Sequence, residues 1–172
     1  GFYFGNDFPK PKTSPNYTEE YNRYTSSTNK ALYASKSNGA QLTQAFDTMV
    51  TPNYVVAQQM AIDIAEQIKN SESGSVTIVI NSSCSAPATE TYNLALSTRR
   101  IESVIKFFAE NSVTKNYVKE GKLIVKAGIG AGEITTSTPL VAKNSSSPYE
   151  FSPGNTVTCT DINTNAVGGD RM

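Results

Sequence analysis

The sequence predicts a single α/β domain, an α+β sandwich in which a mixed sheet packs against helices on one face. Three observations carry this. Val76-Thr77-Ile78-Val79-Ile80 is a β-branched run, apolar at most positions, as expected of a central strand covered on both faces. From Leu94, the residues Ile101, Val104, Ile105 and Phe108 follow at offsets of 7, 10, 11 and 14, which is helical periodicity. Leu123 to Ala127 supplies a second apolar strand. With a short strand at the N-terminus, the order strand, helices, strand, helix, strand is that of a split βαβ sandwich.

Phe2-Tyr3-Phe4 before Gly5-Asn6-Asp7 predicts that N-terminal strand and a turn, and Pro9, Pro11 and Pro15 then keep the chain extended. Tyr17, Tyr21, Tyr24 and Thr28, at spacings of 4, 3 and 4, predict one helix that ends over Ser35 to Gly39. Its tyrosines are expected to pack it onto the domain, their rings buried and hydroxyls wet, in preference to a sugar-stacking platform. Gln41 to Val50 predicts a shorter helix carrying Leu42, Ala45, Phe46 and Met49 inward. Thr51-Pro52 is a start signal, Thr as N-cap and Pro at the first helical position. Ala57, Ala61, Ile64, Ala65 and Ile68 form the buried stripe of the helix that follows, to about Lys69, and Ser71 to Gly74 breaks it. Residues 134–155, rich in Ser, Thr, Pro and Asn, predict a long surface loop, Thr156 to Thr160 an edge strand, and Asn163 to Gly169 irregular chain.

At 172 residues the chain suits one domain with a real core. Fifteen basic and fifteen acidic residues cancel, so bulk charge advertises no nucleic acid and any anion recognition must be local. No apolar run approaches the roughly 18 residues that span a bilayer, and no signal-peptide pattern is present; the chain reads as a soluble fragment or mature product. There is no His, and Cys84 and Cys159 lie in no CxxC pattern. A zinc site and a His-based catalytic group are therefore not expected, nor is any cofactor. Glu19 and Glu20 are adjacent, diverge on a helix and suit a solvated face better than acid/base chemistry.

The segment Tyr92-Asn93-Leu94-Ala95-Leu96-Ser97-Thr98-Arg99-Arg100 puts an Asn, a Ser and two Arg on the first turns of a helix after a buried strand. Together with strand Ser75 to Asn81, a Ser-rich loop, and strand Leu123 to Ala127 running into Gly128-Ile129-Gly130-Ala131-Gly132-Glu133, it resembles the OmpA-like peptidoglycan-binding domain over about residues 54 to 133. The resemblance implies a βαβαβ mixed sheet with helices on one face and a final strand. That strand is either supplied by the segment around Val157 or missing, which would leave a sheet edge open. Residues 17–50 then stand out as a helical insertion, and the glycines before Glu133 as an architectural turn.

The resemblance further implies a non-catalytic module, in the periplasm of a Gram-negative bacterium and associated with the outer membrane through an anchor outside this chain. Its partner would be the diaminopimelate side arm of peptidoglycan, the ammonium held by an Asp after the strand and a carboxylate by a helix Arg. Arg100 falls on the Arg position, and on a helix its neighbour Arg99 points about 100° away. Ser85 falls on the Asp position. A hydroxyl cannot neutralise an ammonium, and the expected loss is roughly 1 to 3 kcal/mol, about ten- to hundred-fold in affinity. Asn93 falls on a pocket-lining position and has an equal claim to bonding back to the preceding loop. Cys84 and Ser97 complete the candidate ligand set with Arg100, Asn93 and Ser85. Glu90 is the nearest carboxylate to substitute for the Asp, with complementing the helix dipole as its more ordinary role. In a periplasmic setting a Cys84–Cys159 disulfide is open, in a cytosolic one two free thiols. The alternative function is a degenerate OmpA-like scaffold that binds envelope proteins through the 17–50 insertion without peptidoglycan.

Overall fold

The computed structural model describes residues 1–71, 74–85, 89–134, 150–152 and 156–161, and the side chains of these except 83–85, 90, 128–134, 150–152 and 156–161. The fold is mixed α/β. Helices α1 (Tyr17–Tyr24), α2 (Ser27–Ala34), α3 (Gly39–Ala45) and α4 (Thr51–Asn70) precede strand β1 (Val76–Ser85). Helices α5 (Glu90–Glu110) and α6 (Lys115–Lys119) lead to β2 (Leu123–Ile134), and β3 (Glu150–Ser152) and β4 (Thr156–Asp161) follow. The sheet order is β2-β1-β4-β3, with β1 parallel to both its neighbours and β3 antiparallel to β4. The segment around Val157 is therefore an interior strand, where the sequence predicts an edge. The expected 134–155 loop contains β3, and the rest of it, like Asn163 to Gly169, lies outside the described residues.

The core lies on one side of β1. Val76, Ile78 and Ile80 are buried against Ala57, Ala61, Ile64 and Ile68 of α4 and Ile101, Val104 and Phe108 of α5. Thr77 and Val79, on the alternate face, are only half-buried, so β1 is not covered equally on both sides. The α4 stripe is as the periodicity predicts, with Met60 added to it.

Phe2-Tyr3-Phe4 is buried but forms no strand. The Tyr17 hydroxyl accepts from Tyr3 N–H at 2.9 Å and donates to Tyr3 C=O at 3.1 Å. A side chain thus takes both backbone groups that a neighbouring strand would otherwise pair.

The expected helix from Tyr17 to Ala34 is two helices. Ser26 caps α2 by accepting from Asn29 N–H, and Asn29 Nδ2 donates to Tyr24 C=O, so the local bonds favour a break. The rings of Tyr17 and Tyr24 are buried as expected, but the Tyr17 hydroxyl is not wet, being buried on the Tyr3 backbone; Tyr21 stacks on Tyr54 with ring centroids 3.7 Å apart. Gly39 packs against the end of α2, where a Cβ would collide with the Ala34 carbonyl.

Thr51 is not an N-cap. The chain passes from α3 into α4 through a π-helical turn, Phe46–Val50, in which Thr51 N–H reaches back to Phe46 C=O. Pro52 has no N–H to give to the preceding turn and its ring crowds that turn's carbonyl, so the helix widens instead of restarting.

The glycine-rich stretch after Ala127 is not a turn but the continuation of β2. Ile80 pairs with Ala127 and Ser82 with Gly130, then Ser83 with Ala131 and Ser85 with Ile134. At each step β2 carries one residue more than β1, which makes two bulges where glycine tolerates the local bend.

Candidate functional site

Helix α5 begins at Glu90, two residues before the sequence prediction, because Thr89 is its N-cap and its hydroxyl accepts from Tyr92 N–H. Leu94 does not begin the buried stripe; it is 47% exposed. The inward positions of the first half of α5 are instead Asn93, Leu96, Ser97 and Arg100, all buried, and Ser103 is buried in the second half. Asn93, Ser97 and Arg100 stand at offsets of 4 and 7 and so share one face. The first turns of α5, which carry this face, follow the carboxyl end of β1 after residues 86–89.

Arg100 is fully buried. Its Nε donates to Phe8 C=O at 3.0 Å and its Nη2 to Gly5 C=O at 3.2 Å, with the Phe4 ring 5.4 Å from the guanidinium. Arg99 Nε donates to Pro9 C=O at 2.7 Å. The two arginines do not diverge to different partners; their long stems bring both to one N-terminal segment. Tyr92 adds a third contact, donating its hydroxyl to Asp7 at 2.6 Å. This bond holds the Asp7 carboxyl below the ordinary carboxylate range, aided by Lys10 at 3.3 Å and by the charge of Arg99. The same bond pushes the Tyr92 phenol above its ordinary value. Further along α5, Lys106 Nζ donates to Ser14 C=O and Glu110 accepts from Asn16 Nδ2.

Residues 5–14 thus form a strap across α5, and α1 flanks its other side. Arg23 lies over the Phe8 ring at 3.2 Å and pairs with Glu20 at 3.0 Å. Glu20 is buried, not on a solvated face, and Glu19 closes a capping box with Asn16. Between strap and α1 lies a cleft of about 440 Å³ lined by Phe8, Lys10, Ser14, Glu19 and Arg23 among others.

The structure therefore brings Asn93, Ser97 and Arg100 together. The backbone of Cys84 and Ser85 ends β1, and their side chains, with those of Glu90 and Cys159, lie outside the described residues. The register sets Cys159 beside Ile80, four residues before Cys84. Four residues of strand span about 13 Å, so this register separates the two Cα atoms by more than the roughly 7 Å a disulfide bridges. Among the described residues no group of three or more acidic or Cys side chains is arranged to hold a metal, and no helix is long and apolar enough to cross a membrane. The strap contacts were not foreseeable: Asp7 and Tyr92 are 85 positions apart, and the Gly5-Asn6-Asp7 signal announces only a turn.

Comparison of the chain with protein-family models, with curated proteins and with solved structures finds no match in any of the three.

Proposed function

We propose that this chain is a non-catalytic, OmpA-like binding module of the cell envelope that holds the diaminopimelate side arm of peptidoglycan in the periplasm. The supporting observation is the inward placement of Asn93, Ser97 and Arg100 on one face of α5 at the carboxyl end of β1. An apolar helix face would pack this sheet at lower desolvation cost, so three polar side chains there suit a helix kept for a ligand carboxylate. The β1-α5-β2 unit, with β4 beside β1, is compatible with the OmpA-like arrangement that the sequence motifs suggest.

A second reading is favoured by a specific observation: Arg100 already bonds the carbonyls of Gly5 and Phe8. On this reading the domain is a scaffold for envelope proteins, and Arg100 serves internal structure. Titration with meso-diaminopimelate and with a soluble peptidoglycan fragment separates the two. Under the binding reading the wild type binds, Arg100→Ala does not, and Ser85→Asp binds about ten- to hundred-fold tighter by restoring a charge-assisted bond. Absence of binding in both the wild type and Ser85→Asp overturns the binding reading and leaves the scaffold reading.

A further inference from the structure

We propose that residues 5–14 are a displaceable strap that fills the Arg99–Arg100 site of the unliganded chain, and that a carboxylate ligand binds by replacing the strap's carbonyl oxygens on the two guanidinium groups. The inference rests on the peptidoglycan-binding reading above.

The acceptors on the two arginines are of the kind a carboxylate outcompetes. Gly5 C=O, Phe8 C=O and Pro9 C=O are neutral main-chain groups. The guanidinium-to-carbonyl bonds are charge-assisted on the donor side only; a carboxylate adds the opposite charge, and the planar fork takes both its oxygens at once. Arg99 Nη2, moreover, is buried with no hydrogen-bond partner among the described residues.

The strap is also attached unevenly. Its root, Phe2 and Phe4, is sunk in the core against Tyr17. Asn6, Asp7 and Phe8 are only half-buried, and residues 10–14 are exposed. Pro9 is buried and Arg23 covers the Phe8 ring, and polar latches hold the rest: Tyr92 on Asp7, the arginines on three carbonyls, and Lys106 on Ser14. Underneath runs the cleft along α1. Asp7 and Lys12 take φ 64° in two local turns, closed by Phe8 N–H on Gly5 C=O and by Thr13 N–H on Lys10 C=O. At Gly5 the chain passes close to α1: a Cβ there would lie 2.9 Å from Arg23 Nη2 and 3.1 Å from the Tyr24 ring.

If the site is competent only when the strap is open, the apparent affinity falls by the open fraction, and loosening a latch raises it. Tyr92→Phe removes the Asp7 latch without touching Arg100. The full chain is titrated calorimetrically with meso-diaminopimelate, as wild type and Tyr92→Phe, each also in a Ser85→Asp background. Trypsin cleavage after Lys12 is followed alongside it as a measure of strap opening. The expected result is binding on the order of 3- to 10-fold tighter in Tyr92→Phe, with faster cleavage after Lys12 that the ligand accelerates further. Equal affinity in the two chains, or a ligand that leaves cleavage unchanged or slows it, overturns the strap proposal and leaves the binding reading standing. No binding in either background overturns the binding reading and the strap proposal with it.

Discussion

Helices α4 and α5 both turn a face toward β1, yet the two faces are made of different material. That of α4 is apolar throughout: Ala57, Met60, Ala61, Ile64, Ala65 and Ile68. That of α5 changes halfway. Its second half offers Ile101, Val104, Phe107 and Phe108 around a single buried Ser103, while its first half buries Asn93, Ser97 and Arg100 beside Leu96. Apolar burial needs no partner of a particular shape, whereas each buried polar group must find its own. The α4 face is thus a packing surface, whereas the first half of α5 carries polar side chains, of which Arg100 bonds the Gly5 and Phe8 carbonyls of the strap.

The difference is open to direct attack. Phe108→Ala, in the apolar half of α5, should cost about 3–5 kcal/mol of global stability, as a fully buried ring leaves a cavity; urea unfolding measures it. Arg100→Ala should cost about 2–4 kcal/mol, since it strands the carbonyls of Gly5 and Phe8 as well as removing a buried side chain. Unlike Phe108→Ala, it should also raise hydrogen exchange selectively in residues 5–14. If both variants loosen the whole domain alike, the two halves of α5 are not distinct. Asn16→Ala removes the capping box where the strap enters α1 and should cost about 1 kcal/mol by the same urea assay. Ser103→Ala should be neutral or stabilising by a few tenths of a kcal/mol, because the Ser103 hydroxyl is buried with no partner among the described residues.

The Asp7–Tyr92 latch adds a pH dependence that α4 has no means to show. Asp7 is depressed in the folded chain, so its contribution is full above the ordinary carboxylate value and fades as pH falls through the lower folded one. Tyr92 is raised, so its contribution is full below the ordinary phenol value near 10 and fades as pH rises through the higher folded one. Exchange in residues 5–14 should therefore be slowest relative to the core between about pH 4 and 10 and rise outside that window. Tyr92→Phe should flatten the profile.

The two helices also differ in how much of them the sequence discloses. The α4 stripe and the β1 run follow from period alone, because burial there is apolar and periodic. In α5 period misleads: Leu94 joins the apolar series and lies outside, while Arg100, the most polar member of the segment, lies deepest. The helix motif marked Asn93, Ser97 and Arg100 as special without disclosing their depth. Local chemistry also failed where tertiary contacts overrode it. Tyr17 took the backbone bonds of the expected first strand, and Pro52 widened a helix that it was expected to start. The strap was illegible for a simpler reason: its bonds to α5 join residues 85 to 95 positions apart, and no local pattern carries such pairs.

The flanking of β1 by β2 on one side and β4 on the other also sets the order of events in folding. Residues 76–80 are an uncharged β-branched run, yet both strands that satisfy their edges come later, at 123–134 and 156–161. During synthesis this run waits unpaired on both sides until residues 123–127 are made, and on one side until residues 156–159 are made. Parallel pairing over such distances closes large loops and is slow. The interval in which Val76 to Ile80 stands open is when the chain is most exposed to intermolecular strand pairing.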